Sequence, residues 1–321
     1  MRIVMMGTGP YAVPTLISLY ESAHEVAGLI TRPDCGGPGG REMSINPLRH
    51  LAVAEGTPIF DPEDVNSNAA QIALNHFSPD LLIVCDYGQI LTPETLNIAK
   101  QGAFNLHASL LPNYRGAAPI QWAIYHGETQ TGNTVIHMNS KLDAGPIVAR
   151  QVVCIEPEET AFELEKRLAV LGAGLVQDVI AAVEKGTLTP LPQDQTGITQ
   201  APKLTKSLGD IDWTRSAEAI CNQVRALVPW PKTHTHWLRD AADPLRVIIE
   251  KVGAEPGTGR VRPGEVIEAE EERLLVATGD GSLCVERLQP AGKKSLLASA
   301  FLRGYRMSVG DCFGTPKRMD G

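Results

Sequence analysis

Two polar side chains, Asn105 and His107, stand two residues apart at the head of the run Asn105-Leu106-His107-Ala108-Ser109-Leu110-Leu111-Pro112-Asn113-Tyr114-Arg115-Gly116-Ala117-Ala118-Pro119. In a strand that spacing points both to one face. The approach through Gly102-Ala103-Phe104 is apolar, so the pair would be buried, and buried polar groups cost free energy unless each finds a partner. One reading is a satisfied core histidine beside a capping asparagine; the other is a reactive site. A carboxylate, Asp143, lies in the glycine-bearing loop Lys141-Leu142-Asp143-Ala144-Gly145-Pro146, where a turn aspartate is the common alternative. Amide, imidazole and carboxylate together are the groups that move an acyl group between nitrogens. The amide can stabilise the oxyanion formed when an amine attacks a formyl carbon. The imidazole can share that load or move protons, and the carboxylate can hold its protonation state.

The elements around these residues alternate. Arg2 to Met6 reads as a short apolar strand ending at Gly7-Thr8-Gly9-Pro10, and a helical stretch with Val13, Leu16 and Ile17 follows, with Pro10 suited to the first turn. Val26 to Thr31 completes a β-α-β unit. Leu81 to Cys85 repeats the buried-strand signature after a helical segment near Ala69 to Phe77, so the sheet is expected to be mainly parallel. Gly7-Thr8-Gly9 lacks the third glycine of a dinucleotide fingerprint, position 12 being Ala12, and Thr31 supplies no acidic residue; the glycines are read as a tight turn. A helix at Ile120 to Tyr125, an antiparallel pair Thr134 to Met138 and Ile147 to Val153, and a long helix from about Ala161 to Glu184 follow. Residues 187–207, rich in Thr, Pro and Gln, read as a linker. Beyond it a helix at Ala217 to Leu227 precedes five short strands, with Thr278-Gly279-Asp280-Gly281 as a hairpin turn. That pattern suggests a small barrel.

At 321 residues, with 43% apolar and 21% charged residues, two soluble domains are expected. No apolar run approaches the length of a membrane span, and the N-terminal run is too short for a secretion signal, so a cytoplasmic location is expected. The six cysteines are scattered singly, without the spacing of a zinc site. The net charge of −8 is uneven: residues 1–205 carry 12 Lys and Arg against 21 Asp and Glu, and residues 206–321 carry 17 against 16. The second part therefore permits a nucleic-acid contact, as does any solvated mixed surface.

The chain resembles the 10-formyltetrahydrofolate-dependent formyltransferase family. The resemblance rests on Asn105 to Pro112, on Tyr114-Arg115-Gly116-Ala117-Ala118-Pro119-Ile120-Gln121, on Leu142-Asp143-Ala144-Gly145, and on Ile211-Asp212-Trp213 and Leu288-Gln289-Pro290-Ala291-Gly292-Lys293-Lys294 in the tail. The tail and the Arg-Gly-Ala-Ala-Pro stretch favour the branch whose acceptor is initiator methionyl-tRNA. The resemblance implies a Rossmann-like α/β catalytic domain over residues 1–186, the linker at 187–207, and an OB-like β-barrel over 208–321 that contacts transfer RNA. It implies Asn105, His107 and Asp143 as the catalytic trio. It places Ser109, Leu110, Leu111 and Pro112 along the folate site, and makes Tyr87, Gly88, Gln89, Ile90 and Leu91, after Asp86, the loop that receives the pterin ring. The formyl donor is 10-formyltetrahydrofolate, no metal is needed, and a monomer is expected. The loop from Arg32 to Asn46, with Arg32 and Arg41 in it, would approach the acceptor stem, and the tail barrel would contact the backbone; Lys293, Lys294, Arg303 and Arg306 are the candidate phosphate contacts there, a solvated charged face being the alternative. Three departures from the family pattern stand out: Pro146 follows Gly145, Asp86 replaces alanine, and the glycine-rich stretch Cys35 to Arg41 is poor in cations, which should weaken its phosphate contacts.

Overall fold

A computed structural model describes residues 1–33, 46–239, 242–257, 259, 261–270 and 272–316. The chain divides into two compact units. One comprises Met1–Ile120, Gln130–Ile155 and Glu163–Pro202; the other comprises Gln121–Thr129, Glu156–Phe162 and Lys203–Gly321.

In the first unit the strands are β1 (Arg2–Gly7), β2 (Glu25–Ile30), β3 (Ile59–Phe60), β4 (Leu81–Cys85), β5 (Ala103–His107), β6 (Arg115–Gly116), β7 (Gln130–His137), β8 (Ile147–Cys154) and β9 (Gln200–Ala201). A seven-stranded sheet has the order β3-β2-β1-β4-β5-β7-β8. The pairs from β3 to β5 are parallel, and β5-β7 and β7-β8 are antiparallel. All five residues of β4 are buried, as a strand covered on both faces requires. Helices α1 (Val13–Tyr20), α2 (Pro47–Ala54), α3 (Asn68–His76) and α4 (Pro93–Leu96) follow β1 to β4. Asn46 caps α2 by accepting from the N–H groups of Leu48 and Arg49, and its amide donates to Thr31 Oγ1 at 2.6 Å. Helix α5 (Pro119–Tyr125) belongs from Gln121 onward to the other unit, and α6 (Ala161–Lys185) belongs to this one from Glu163 onward.

The order of strands makes β1 a point of reversal: the chain leaves it first toward β2 and β3, then returns to β4 on its other side. The crevice between the carboxyl ends of β1 and β4 is the place where open α/β sheets bind ligands. Gly7 to Pro10 forms one wall and Cys85 to Gly88 the other. Gly9 has φ of −91°, so the expected tight turn is not what requires a glycine there. A Cβ at position 9 would lie 1.7 Å from Asp86 Oδ2, so glycine is what lets the Asp86 carboxylate occupy this end of the crevice.

The second unit holds α7 (Ala217–Ala226) and strands β10 (Thr233–Leu238), β11 (Leu245–Glu255), β12 (Val266–Glu270), β13 (Arg273–Ala277), β14 (Ser282–Pro290) and β15 (Leu296–Leu297), then α8 (Ala298–Gly304) and β16 (Cys312–Gly314). The sheet is antiparallel, in the order β12-β13-β14-β11-β10-β16, with β15 on β14. The Phe313 N–H donates to Gly264 O at 2.7 Å and the Val266 N–H to Asp311 O at 2.8 Å. The two ends of the strand order thus meet, and the sheet curls as the expected barrel would. Its core includes Trp213, Ile220, Trp237, Val276, Leu288 and Phe301. The segment expected as a linker differs in one respect: its residues through Pro202 belong to the first unit, where Leu191 exchanges backbone hydrogen bonds with Ile147 at 2.7 and 2.8 Å.

Candidate active site

β5 carries Asn105 and His107 to the carboxyl edge of the sheet, held by β4 on one side and β7 on the other. Val84 and Ile136 flank Asn105, and Thr134 lies opposite His107. Past His107 the chain turns back. Ser109 Oγ donates to Asn113 O at 2.6 Å, Thr134 Oγ1 donates to Ser109 O at 2.6 Å, and the Leu111 N–H donates to Thr134 Oγ1 at 3.2 Å. This turn returns Tyr114, in left-handed backbone at φ of 59°, to the imidazole. His107 Nε2 is 2.9 Å from Tyr114 O. A carbonyl only accepts, so Nε2 carries the hydrogen, and Nδ1 is the nitrogen left to face the site.

Asp143 meets this pair from the β7-β8 hairpin. Its Oδ2 accepts the Gly116 N–H at 2.8 Å and lies 3.8 Å from His107 Nδ1, and its Oδ1 is 3.5 Å from Asn105 Nδ2. The carboxylate and the imidazole are 9% and 7% exposed as side chains, so protein groups rather than water set their orientation. Gly116 has φ of 124°, and a Cβ there would lie 2.6 Å from Ala201 O. Only glycine can present its N–H to Asp143 while pairing β6 with β9. Of the five non-glycine residues with positive φ among the described residues, three, Asp86, Tyr114 and Asp143, stand at this edge of the sheet. Strain gathered in one place marks a functional region.

The residues expected to receive folate divide into two sets. Tyr87 and Leu91 are 2% and 1% exposed and pack in the core. Gln89 is committed to Val65 N and Pro62 O. Gly88 and Ile90 face outward, Ile90 being 60% exposed. Ser109 and Leu111 are fully buried, while Leu110 and Pro112 are half-buried. Outward backbone at Gly88 and apolar surface at Ile90, Leu110 and Pro112 suit a flat heteroaromatic ring. Arg32 donates to Gly88 O at 2.6 Å, so its guanidinium braces this loop. Arg41 lies outside the described residues.

Asp86 is open to the crevice, yet protein atoms crowd its carboxyl. The loss of surrounding water raises its pKa to about 6, and the Arg32 guanidinium pulls in the opposite direction. Burial, with Asp86 nearby, also raises Glu165. Burial raises the Tyr11 phenol, with Cys85, Asp86 and Glu165 adding to the shift; its hydroxyl donates to Asn133 Oδ1 at 2.7 Å.

In the second unit Lys293, Lys294, Arg303 and Arg306 are exposed. Arg246 and Arg287 are also exposed on this sheet, and Arg246 lies opposite His236 across β10 and β11; neither was singled out from the sequence. Burial, and then Arg246, lowers the pKa of His236. Other residues missed from the sequence are those that fasten Asp143: Gly116 as the donor to its carboxylate, and Gln193 with Arg115. Glycine inside the Arg115-Gly116 pair was a visible signal for the first. Nothing local distinguished Gln193.

No described helix is long and apolar enough to cross a membrane. No group of three or more His, Cys, Asp or Glu among the described residues is placed to hold a metal ion. Residues 1–180 match the formyl transferase family and residues 203–306 match the formyl transferase C-terminal domain. Methionyl-tRNA formyltransferase of Alkaliphilus oremlandii is 38% identical over 98% of this chain and 100% of its own length. That of Halalkalibacterium halodurans is 41% identical, covering 98% of each. Among solved structures, the N-formyltransferase from Helicobacter canadensis, in complex with folinic acid and dTDP-3-aminofucose, superposes with a TM-score of 0.64 at 16% identity, over 89% of this chain and 98% of that one. HypX from Aquifex aeolicus, in complex with tetrahydrofolic acid, gives 0.61 at 19% identity over 96% of this chain and 48% of that one. At such identities these two show a shared fold. With both family domains matched and full-length relatives at this identity, the chain belongs to the formyl transferase family, in its methionyl-tRNA formyltransferase branch.

Proposed function

We propose that the protein is a cytoplasmic monomer that transfers the formyl group of 10-formyltetrahydrofolate to the α-amine of initiator methionyl-tRNA, giving N-formylmethionyl-tRNA. The convergence of Asn105, His107 and Asp143 on one point carries the formyl-transfer part of this reading, and the full-length relatives named methionyl-tRNA formyltransferase support the acceptor. The amine nitrogen attacks the formyl carbon, the bond from that carbon to N10 breaks, and the proton lost by the amine ends on N10 of tetrahydrofolate. Asn105 Nδ2 donates to the formyl oxygen as negative charge develops there, and His107 adds a second donor in its imidazolium form, when Nδ1 as well as Nε2 carries a proton. Asp143, fixed by Gly116 N–H, orients both groups and stabilises positive charge on the attacking nitrogen until its proton leaves. The donor's ring lies against the outward backbone at Gly88, with Ile90, Leu110 and Pro112 as its apolar cover, while Tyr87, Gln89, Leu91, Ser109 and Leu111 hold these two runs in place from beneath. Lys293, Lys294, Arg303 and Arg306 approach the phosphates of the transfer RNA, joined by Arg246 and Arg287.

The test is release of tetrahydrofolate from 10-formyltetrahydrofolate by the purified protein with methionyl-tRNA, with amino-sugar nucleotides, or with no acceptor. Release confined to methionyl-tRNA is expected. Release with the sugar nucleotides alone assigns another acceptor, release without acceptor indicates a hydrolase, and none anywhere leaves a binding protein.

A further inference from the structure

Asp143 occupies left-handed backbone, φ of 48°, a region that aspartate enters more readily than most residues but still at a cost relative to extended or helical backbone, so contacts from its surroundings help to hold it there. One such contact comes from 50 residues away in the chain. Gln193, 5% exposed, donates both amide hydrogens to this hairpin, to Asp143 O at 2.7 Å and to Gly145 O at 2.8 Å. Its Oε1 accepts from Arg115 Nη2 at 2.7 Å and Nε at 3.3 Å. Both carbonyls only accept and the guanidinium only donates, so the amide has one possible orientation and its capacity is complete.

The same segment grips the other side of the site. Thr199 Oγ1 accepts the Tyr114 N–H at 2.8 Å, Thr199 O accepts the Arg115 N–H at 3.0 Å, and Ala201 O accepts the Ala117 N–H at 2.7 Å. Residues 191–201 therefore act as a strap across two loops: the one that presents Tyr114 O to His107 and Gly116 N–H to Asp143, and the hairpin that carries Asp143 itself. A hydrophobic spacer could cover these loops. It could not hold two carbonyls and a guanidinium at once.

We propose that Gln193 is a positioning residue that sets the catalytic geometry of Asp143 by holding its strained backbone and coupling it to Arg115. This inference rests on the reading of Asp143 as catalytic. Gln193→Leu removes every bond. Gln193→Glu keeps the size and the Arg115 partner, yet when ionised it turns an oxygen toward the Asp143 and Gly145 carbonyls. Misplacement of a catalytic group by about 1 Å can cost roughly 10²-fold, so both variants should lower kcat by about 10- to 100-fold with the KM for the folate donor within about threefold.

Two readouts separate positioning from mere stability in formylation assays on the full-length protein, with folding checked by thermal melting. Protonation of the introduced carboxyl restores one donor, so Gln193→Glu should recover relative activity as pH falls, whereas Gln193→Leu should not. Against Asp143→Ala, which disables the group Gln193 serves, adding Gln193→Leu should cost no more than about twofold. The inference is overturned if folded Gln193→Glu turns over normally at pH 8, if the two losses multiply, or if the defect appears only in donor KM. Should one variant fail to fold, the other still decides. Normal turnover by Asp143→Ala would remove the reading of Asp143 and this inference with it, whereas an impaired Asp143→Ala beside normal Gln193 variants removes only the latter.

Discussion

Asp143→Asn isolates charge from shape at the centre of the proposed site. The carboxylate receives a hydrogen from Gly116 N at 2.8 Å and faces Asn105 Nδ2 at 3.5 Å. An amide has one acceptor where the carboxylate has two, so either its NH2 meets the Asn105 NH2 or it meets the Gly116 N–H. One contact becomes donor against donor in either orientation. Loss of a hydrogen bond to a charged acceptor costs about 1.5–3 kcal/mol, which bears chiefly on stability and loop placement. The catalytic loss has a different origin. A carboxylate about 4 Å from a nitrogen gaining positive charge, at an effective dielectric constant of about 20, is worth about 4 kcal/mol, or roughly three orders of magnitude in rate. Single-turnover formylation of methionyl-tRNA, at saturating donor and with folded protein verified by melting, measures it. A rate within about tenfold of the unmodified protein would mean that Asp143 only orients its neighbours. Asp143→Ala should lose a similar or larger factor, because the Gly116 N–H is then left unpaired as well.

Asp86 should titrate with a midpoint near 6, visible as the shift of its carboxyl carbon by NMR, and a midpoint near 4 would refute the desolvation argument. A raised pKa means that the folded state binds the proton more tightly than the unfolded chain, so this contribution to stability is fully present below about pH 4 and is lost as pH rises through 6. Asp86→Asn should therefore gain stability relative to the unmodified protein between about pH 4 and pH 7 in urea titrations; a difference independent of pH would count against it. Replacing Lys293, Lys294, Arg303 and Arg306 together with Ala should weaken methionyl-tRNA binding and leave tetrahydrofolate affinity unchanged. The salt slope of log Kd should fall by roughly 0.9 for each phosphate these side chains neutralise. An unaltered slope would place the RNA elsewhere.

Much of the architecture was legible as local pattern. The continuous apolar run of β4 and the long amphipathic α6 declare themselves within a few residues, because burial on both faces or on one stripe constrains neighbouring positions. The alternation Asn105-Leu106-His107 put two polar groups on one face, and the structure brings them to a carboxylate that the resemblance had already picked out. Short elements fared worse. β3, β6 and β9 have two residues each, too few for any period to register, and β16 is recognisable only through its partners across the sheet.

Residue types and their spacing along the chain determined the α/β organisation and marked Asn105, His107 and Asp143 as groups to watch, and the resemblance of the motifs around them supplied the family. Tertiary structure alone decided how those groups are held. Gln193 meets the Asp143 hairpin across 50 residues of sequence and Arg115 across 78. Gly9 is glycine on account of Asp86, and the segment read as a linker fastens the site through Gln193, Thr199 and Ala201. Hydrogen bonds between distant residues leave no periodic trace, since their energy depends on where two backbones arrive and not on what precedes them in sequence.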